Sequence, residues 1–221
     1  MMKNVLYYLE KTEMKNGEKI AVIERNKKCT YKELLETSKK IGTGLTKITE
    51  VRKPIPILME KGIDTLCTFF GAVYAGCFYI LLNPELPTVR LQSILKTLEA
   101  DVLITDEINY ELAKKITDKK NIIKISEIKE SQIDENKLKQ IRDNALDVDP
   151  LYVNFTSGST GTSKGVVISH QTVIDFINIF TEKFNINQND IIGNQAPFDF
   201  DVSVKDIYSA IKTRSNTCNY S

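Results

Sequence analysis

Ten consecutive residues, Thr156-Ser157-Gly158-Ser159-Thr160-Gly161-Thr162-Ser163-Lys164-Gly165, consist only of Thr, Ser, Gly and Lys. Their chemistry suits a polyphosphate. Glycines let the backbone approach an anion closely and reach positive φ, and successive backbone N–H groups can form an anion-binding nest. The hydroxyls of Thr156, Ser157, Ser159 and Thr160 add donors, and Lys164 adds a compact positive charge. The run is not a Walker A loop, which needs Gly-x4-Gly-Lys-[Ser/Thr]. Here Gly161 stands three residues before Lys164, and Gly165 follows the lysine where a Mg²⁺-binding hydroxyl would be required. The alternative is a solvated Ser/Gly linker. A linker, however, has no reason to lie between two apolar segments, 151–155 and 166–169, with a single lysine at its end.

Elements that could hold such a loop are legible along the chain. Apolar runs or alternation predict strands over 19–24, 28–30, 54–59, 77–82, 101–105, 121–125, 151–155, 166–169 and 191–195. Helical spacing predicts helices over 4–13, 31–46, 61–75, 87–99, 107–116, 171–184 and 202–211. Thr30 followed by Glu33 is a capping box for the second of these helices, and Pro87 suits an early helical position. The polar stretch 126–150 reads as an irregular connection. Strands alternating with helices of ten or more residues predict an α/β fold, a mostly parallel sheet flanked by helices.

The totals narrow the function classes. The 221 residues suffice for one large domain or two small ones, with 42% hydrophobic and 27% charged residues as in an ordinary globular protein. A net charge of +1 offers no bulk attraction to nucleic acid or to an anionic membrane. Cys29, Cys67, Cys77 and Cys218 have no metal-ligand or C-x-x-C spacing, so no metal site is expected, and Cys67 and Cys77 read as core filler. A reducing, cytoplasmic setting fits, and residues 1–15 lack the apolar core of a signal peptide. The most apolar stretch, 63–82, contains Asp64 and a change of period, so it reads as a buried helix running into a strand and not as a membrane span.

The run from Phe155 through Lys164 to Val166 resembles the signature loop of the AMP-forming adenylating enzymes, which include acyl-CoA synthetases and the adenylation domains of nonribosomal peptide synthetases. The family usually has Pro where this chain has Ser163. Residues 66–90, an aromatic helix and strand followed by Asn83-Pro84 and Arg90, are similar to a second family motif. The resemblance covers residues 1–213 and identifies them as the N-terminal part of an AMP-binding domain. It implies ATP and Mg²⁺ as cofactors, with Thr156, Ser157, Gly158, Ser159, Thr160, Gly161 and Lys164 around the phosphates. The segment Asn194-Gln-Ala-Pro-Phe-Asp-Phe-Asp201-Val202-Ser203 resembles the amino-acid-activating branch, most closely the D-alanine–D-alanyl carrier protein ligases. There the aspartate pairs with the substrate's α-ammonium, which places that role on Asp201. Val202 and Lys205 would then line the side-chain pocket. Asp201 could equally cap the helix that follows. Lys205 stands where these ligases have an apolar residue, and a lysine in a pocket made for alanine is costly unless paired, so it is expected to face solvent, to meet Asp199 or to mark a different substrate with an acidic group.

The implied function is activation of D-alanine or another small amino acid as aminoacyl-AMP. Transfer to the phosphopantetheine thiol of a carrier protein would follow, for teichoic acid alanylation. The alternatives are an acyl- or aryl-CoA synthetase, whose substrates offer Asp201 no ammonium, and a non-catalytic product. The family's adenine motif, ribose-binding aspartate and C-terminal domain lysine do not occur in these residues, so no complete catalytic set is expected and the chain reads as an incomplete, inactive fragment. His170 and Asp206 read as structural. After Thr213 the resemblance implies a Gly-rich turn and an apolar strand, whereas residues 214–221 read Arg-Ser-Asn-Thr-Cys-Asn-Tyr-Ser. One permitted codon choice for them is AGG AGC AAC ACT TGT AAT TAT AGC. Read one nucleotide on, it encodes Gly-Ala-Thr-Leu-Val-Ile-Ile. The tail is therefore expected to be aberrant, from a frameshifted and prematurely ended gene product, with an ordinary disordered tail as the alternative.

Overall fold

The computed structural model describes residues 3–117, 121–156 and 164–219. The elements in chain order are α1 (Leu6–Asn16), β1 (Ile20–Glu24), β2 (Lys27–Thr30), α2 (Tyr31–Leu45), β3 (Pro54–Leu58), α3 (Ile63–Tyr74), β4 (Phe78–Leu81), α4 (Thr88–Leu98), β5 (Leu103–Thr105), α5 (Tyr110–Ile116), β6 (Ile122–Lys124), α6 (Ile125–Ile128), α7 (Glu135–Asp143), β7 (Pro150–Thr156), β8 (Lys164–Ser169), α8 (His170–Lys183), β9 (Ile191–Asn194), α9 (Asp201–Thr213) and β10 (Asn216–Asn219). The α/β alternation expected from the sequence is the observed one.

The strands divide between two sheets. A six-stranded sheet runs β6-β5-β3-β4-β7-β8, and a four-stranded sheet runs β2-β1-β10-β9. All their pairings are parallel except the β1–β2 and β7–β8 pairs, each a local antiparallel return. Parallel strands are covered on both faces, which explains why Ile55, Ile57, Tyr79, Ile80, Leu103 and Ile104 are all buried. Helix α2 lies tight against α3. A Cβ added at Gly42 would sit 2.6 Å from Tyr74 Cβ, so this backbone approach requires glycine.

Helix α2 begins with the capping box read from the sequence. The Thr30 N–H donates to Glu33 Oε2 at 2.7 Å, and the Glu33 N–H donates to Thr30 Oγ1 at 3.2 Å. One stretch corrects the sequence reading. Residues 126–150 contain α6 and α7, where an irregular connection was expected. Asp134 caps α7 by accepting from the Lys137 N–H at 2.9 Å, and Leu138 alone is buried from that helix. Leu138 and the half-buried Ile141 are the only apolar residues among the nine, which leaves too little period to read. Residues 216–219, polar and without strand alternation, form β10 between β1 and β9. Long-range pairing overrides local propensity there.

His170 closes the core at the start of α8. The Val5 N–H donates to its Nδ1 at 3.4 Å, which assigns that nitrogen as the acceptor of a neutral ring. Burial, aided by Arg142 and opposed by Asp149, pushes its pKa down to about 4. A base with a depressed folded pKa stabilises the fold above its unfolded pKa of about 6.5, and that stability is lost as pH falls towards 4. Thermal melts are expected to show a loss of ~3 kcal/mol across this window, and His170→Gln should flatten the dependence. An unchanged slope in the variant would refute the assignment. Thr30→Ala is expected to cost ~1 kcal/mol in denaturant unfolding with an unchanged m-value.

Candidate functional site

Strands β7 and β8 are the two arms of a hairpin whose tip is the Ser/Thr/Gly run. Thr156 and Lys164 face each other as register partners, and Thr156 Oγ1 donates to the Lys164 carbonyl at 3.5 Å. Ser157, Gly158, Ser159, Thr160 and Gly161 lie outside the described residues. Gly165 is a packing necessity: a Cβ there would meet Val153 Cγ1 at 2.9 Å. The glycine after the lysine therefore lets the two arms close. β7 runs parallel to β4, so Thr156, at the end of β7, lies at the carboxyl ends of the parallel strands. That is the edge where open α/β sheets bind ligands.

A second feature lies beside β7. Tyr152 of β7, Ile168 of β8, Val173 and Phe176 of α8, and Asp201, Val202 and Lys205 of α9 line one cleft of about 300 Å³. The three α9 residues singled out from the sequence thus share a wall. Phe200 occupies the N-cap of α9 without a side-chain cap bond, and Asp201 is the first helical residue. The capping alternative for Asp201 is not realised. Its carboxylate lies in the first turn, where the helix dipole favours negative charge. Burial, reinforced by Asp201, pushes the Tyr152 phenol up to about 12, which keeps that hydroxyl protonated beside the carboxylate.

Lys205 does not meet Asp199. Its Nζ lies 3.3 Å from Asp206 Oδ1 and 5.6 Å from the centre of the Phe180 ring. Asp206 is buried, and Asn194 Nδ2 donates to its other oxygen at 3.2 Å. Asp199 lines a separate cleft with Asn83, Glu85, Pro197 and Phe198, where burial raises its pKa.

One contributor carried no signal in the sequence. Lys61 Nζ, from the turn between β3 and α3, donates to the carbonyls of Asn194 at 2.6 Å and Ala196 at 3.1 Å, and rests 5.3 Å from the centre of the Phe198 ring. Burial lowers its pKa. It clasps the main chain between β9 and α9, the segment that delivers Asp201. A lysine among other charged residues offers nothing to distinguish it before the fold is known.

The sequence profile described as AMP-binding enzyme matches residues 9–218. The D-alanine–D-alanyl carrier protein ligase of Bacillus anthracis is 29% identical over 221 residues, covering 95% of this chain and 41% of the relative. The chain thus spans about 41% of the length of such curated relatives. Among solved structures, VinN in complex with 3-methylaspartate superposes with a TM-score of 0.85 at 19% identity, covering 99% of this chain and 62% of that one. The nonribosomal peptide synthetase FmoA3 in its AMPPNP-bound form gives 0.80 at 19% identity, over 98% of this chain and 22% of that one. Those two likenesses show the shared α/β fold. With the hairpin loop, the fold and a profile match over nearly its whole length, the chain belongs to the family of AMP-binding enzymes.

Proposed function

We propose that this chain supplies the N-terminal part of an ATP-dependent, AMP-forming ligase that activates D-alanine or another small amino acid. The observation that carries the reading is the shared strand. Tyr152 lines the Asp201 cleft, and Thr156 opens the phosphate hairpin four residues further along β7, ~13 Å away at strand rise. That is the span of an aminoacyl group and a nucleotide's phosphates placed end to end.

In the proposed reaction a substrate carboxylate oxygen attacks the α-phosphorus of ATP, the bond to pyrophosphate breaks, and aminoacyl-AMP forms. A phosphopantetheine thiol of a carrier protein then attacks the acyl carbon, and AMP leaves. Thr156, Lys164 and the intervening Ser157, Gly158, Ser159, Thr160 and Gly161 would hold the phosphates. Their role is positioning and charge stabilisation. Among the described residues no group of three or more His, Cys, Asp or Glu side chains could hold a metal ion. Mg²⁺ would therefore arrive with the triphosphate and neutralise its charge. Asp201 would pair with the α-ammonium, a partner that a fatty or aryl acid cannot provide. No helix among the described residues is long and apolar enough to cross a membrane, and a cytoplasmic setting fits an ATP-dependent step on the way to teichoic acid alanylation.

The adenine and ribose motifs implied by the resemblance are not in this sequence, so these 221 residues alone are proposed to be inactive. Activity is expected from a chimaera joining residues 1–213 in line to the remaining length of the B. anthracis ligase. It should exchange pyrophosphate into ATP only when a small amino acid is present. Asp201→Asn should cut kcat/KM roughly 100-fold, as expected for loss of a desolvated charge partner. Exchange driven by fatty or aryl acids, unaffected by this substitution, would favour the acyl-CoA synthetase reading.

The Asp206 contact bears on substrate choice. A lysine whose charge is answered within the protein leaves the cleft fit for a small neutral side chain. Lys205→Met in the chimaera should leave the preference for alanine over aspartate within about threefold. A swing from aspartate to alanine would mean instead that Lys205 reads a substrate carboxylate.

A further inference from the structure

We propose that residues 214–220 are encoded one nucleotide out of the frame for which this fold is built, and that Gly-Ala-Thr-Leu-Val-Ile-Ile is the native sequence of the turn and of β10. The proposal concerns residue identity at these positions and holds whatever lies beyond residue 221.

The backbone path here is set from outside by groups that bind main-chain carbonyls. Thr12 Oγ1 donates to the Ile211 carbonyl at 2.7 Å. Tyr31 Oη lies 3.1 Å from the Ala210 carbonyl and 2.5 Å from that of Ser215. Lys19 Nζ donates to the Arg214 carbonyl at 2.5 Å. These contacts, from α1, α2 and the approach to β1, fix a turn and a strand without regard to the side chains on them.

The residue types on that path are unusual for their positions. Arg214 ends α9 at φ 63°, ψ 24°, the left-handed conformation that favours glycine at a helix C-terminus. Ser215 has no exposed surface, and Thr217 is 2% exposed. Strand β10 is paired on both edges, by β1 and by β9. Interior strands of parallel pairings are ordinarily continuous apolar runs, yet this one reads Asn-Thr-Cys-Asn, and Asn is depleted in strands.

The shifted reading repairs each mismatch in place. Gly falls on the left-handed position, Ala on the fully buried Ser215, and Leu on the buried Thr217. Val and Ile follow in the strand. The residues at 214–221 permit this reading, and the same codon choice puts glycine at the left-handed Arg214 and aliphatic residues at the buried positions 215 and 217.

Two measurements decide it. The nucleotide sequence of codons 214–221 is expected to spell, one nucleotide on, glycine followed by an aliphatic run. A shifted frame that is polar, or that contains a stop codon, overturns the proposal. Independently, the 221-residue chain with residues 214–220 replaced by Gly-Ala-Thr-Leu-Val-Ile-Ile is expected to melt at least ~5 °C higher. The milder pair Arg214→Gly and Thr217→Leu should recover part of that gain. Melting temperatures unchanged or lowered in both variants would equally overturn it.

Discussion

A buried contact between two phenols joins the two halves of this molecule. Tyr79 Oη of β4 and Tyr208 Oη of α9 lie 3.2 Å apart, and burial pushes both pKa values up, so neither hydroxyl ionises. Tyr79 stacks on Phe69 at 4.4 Å and on Tyr152 at 5.8 Å, while Tyr208 meets Phe70 edge-on at 5.8 Å. The aromatic rings supply apolar area, and the one hydrogen bond fixes how they register. Through it the six-stranded sheet, with its β7–β8 hairpin, is held at a set angle to the helix that carries Asp201. The site inherits its geometry from this junction.

Charge around α9 is arranged to the same end. Asp206 would be an expensive buried anion alone. Asn194 binds one of its oxygens and Lys205 the other. Lys61 meanwhile holds the carbonyls of Asn194 and Ala196. Polar groups on β9, on α9 and on the turn after β3 thus converge below the first turn of α9. The carboxylate of Asp201 is left facing the cleft, where it is available to a ligand.

Local chemistry was legible where it is self-contained. Thr30 and Glu33 announce a helix start from four residues, and the apolar segments 151–155 and 166–169 announce the two strands that flank the Ser/Thr/Gly run. The apolar runs of β3, β4 and β5 needed no partner to be recognised as buried strands. What could not be read depends on distant pairing. Nothing in residues 20–24 says that they will bond to residues 216–219, so the division into two sheets stayed hidden. Helix α7 buries only Leu138, and its stability comes from its cap and from packing across α2. For Asp201 the residue could be singled out, yet whether it would cap a helix or sit one position inside it was settled by the backbone at Phe200.

The pairing of β1 with β10 has a consequence in time. Strand β1 is synthesised early and can form only its hairpin with β2, while its parallel partner emerges nearly two hundred residues later. One edge of that hairpin therefore stays open through most of translation. The six-stranded sheet, by contrast, is complete once β8 has been made. The large sheet is thus free to fold first on the ribosome, and the small sheet closes last, as expected for contacts of high sequence separation. An unpaired β1 edge during that interval is the part of the nascent chain most open to capture by a chaperone or by another copy of itself.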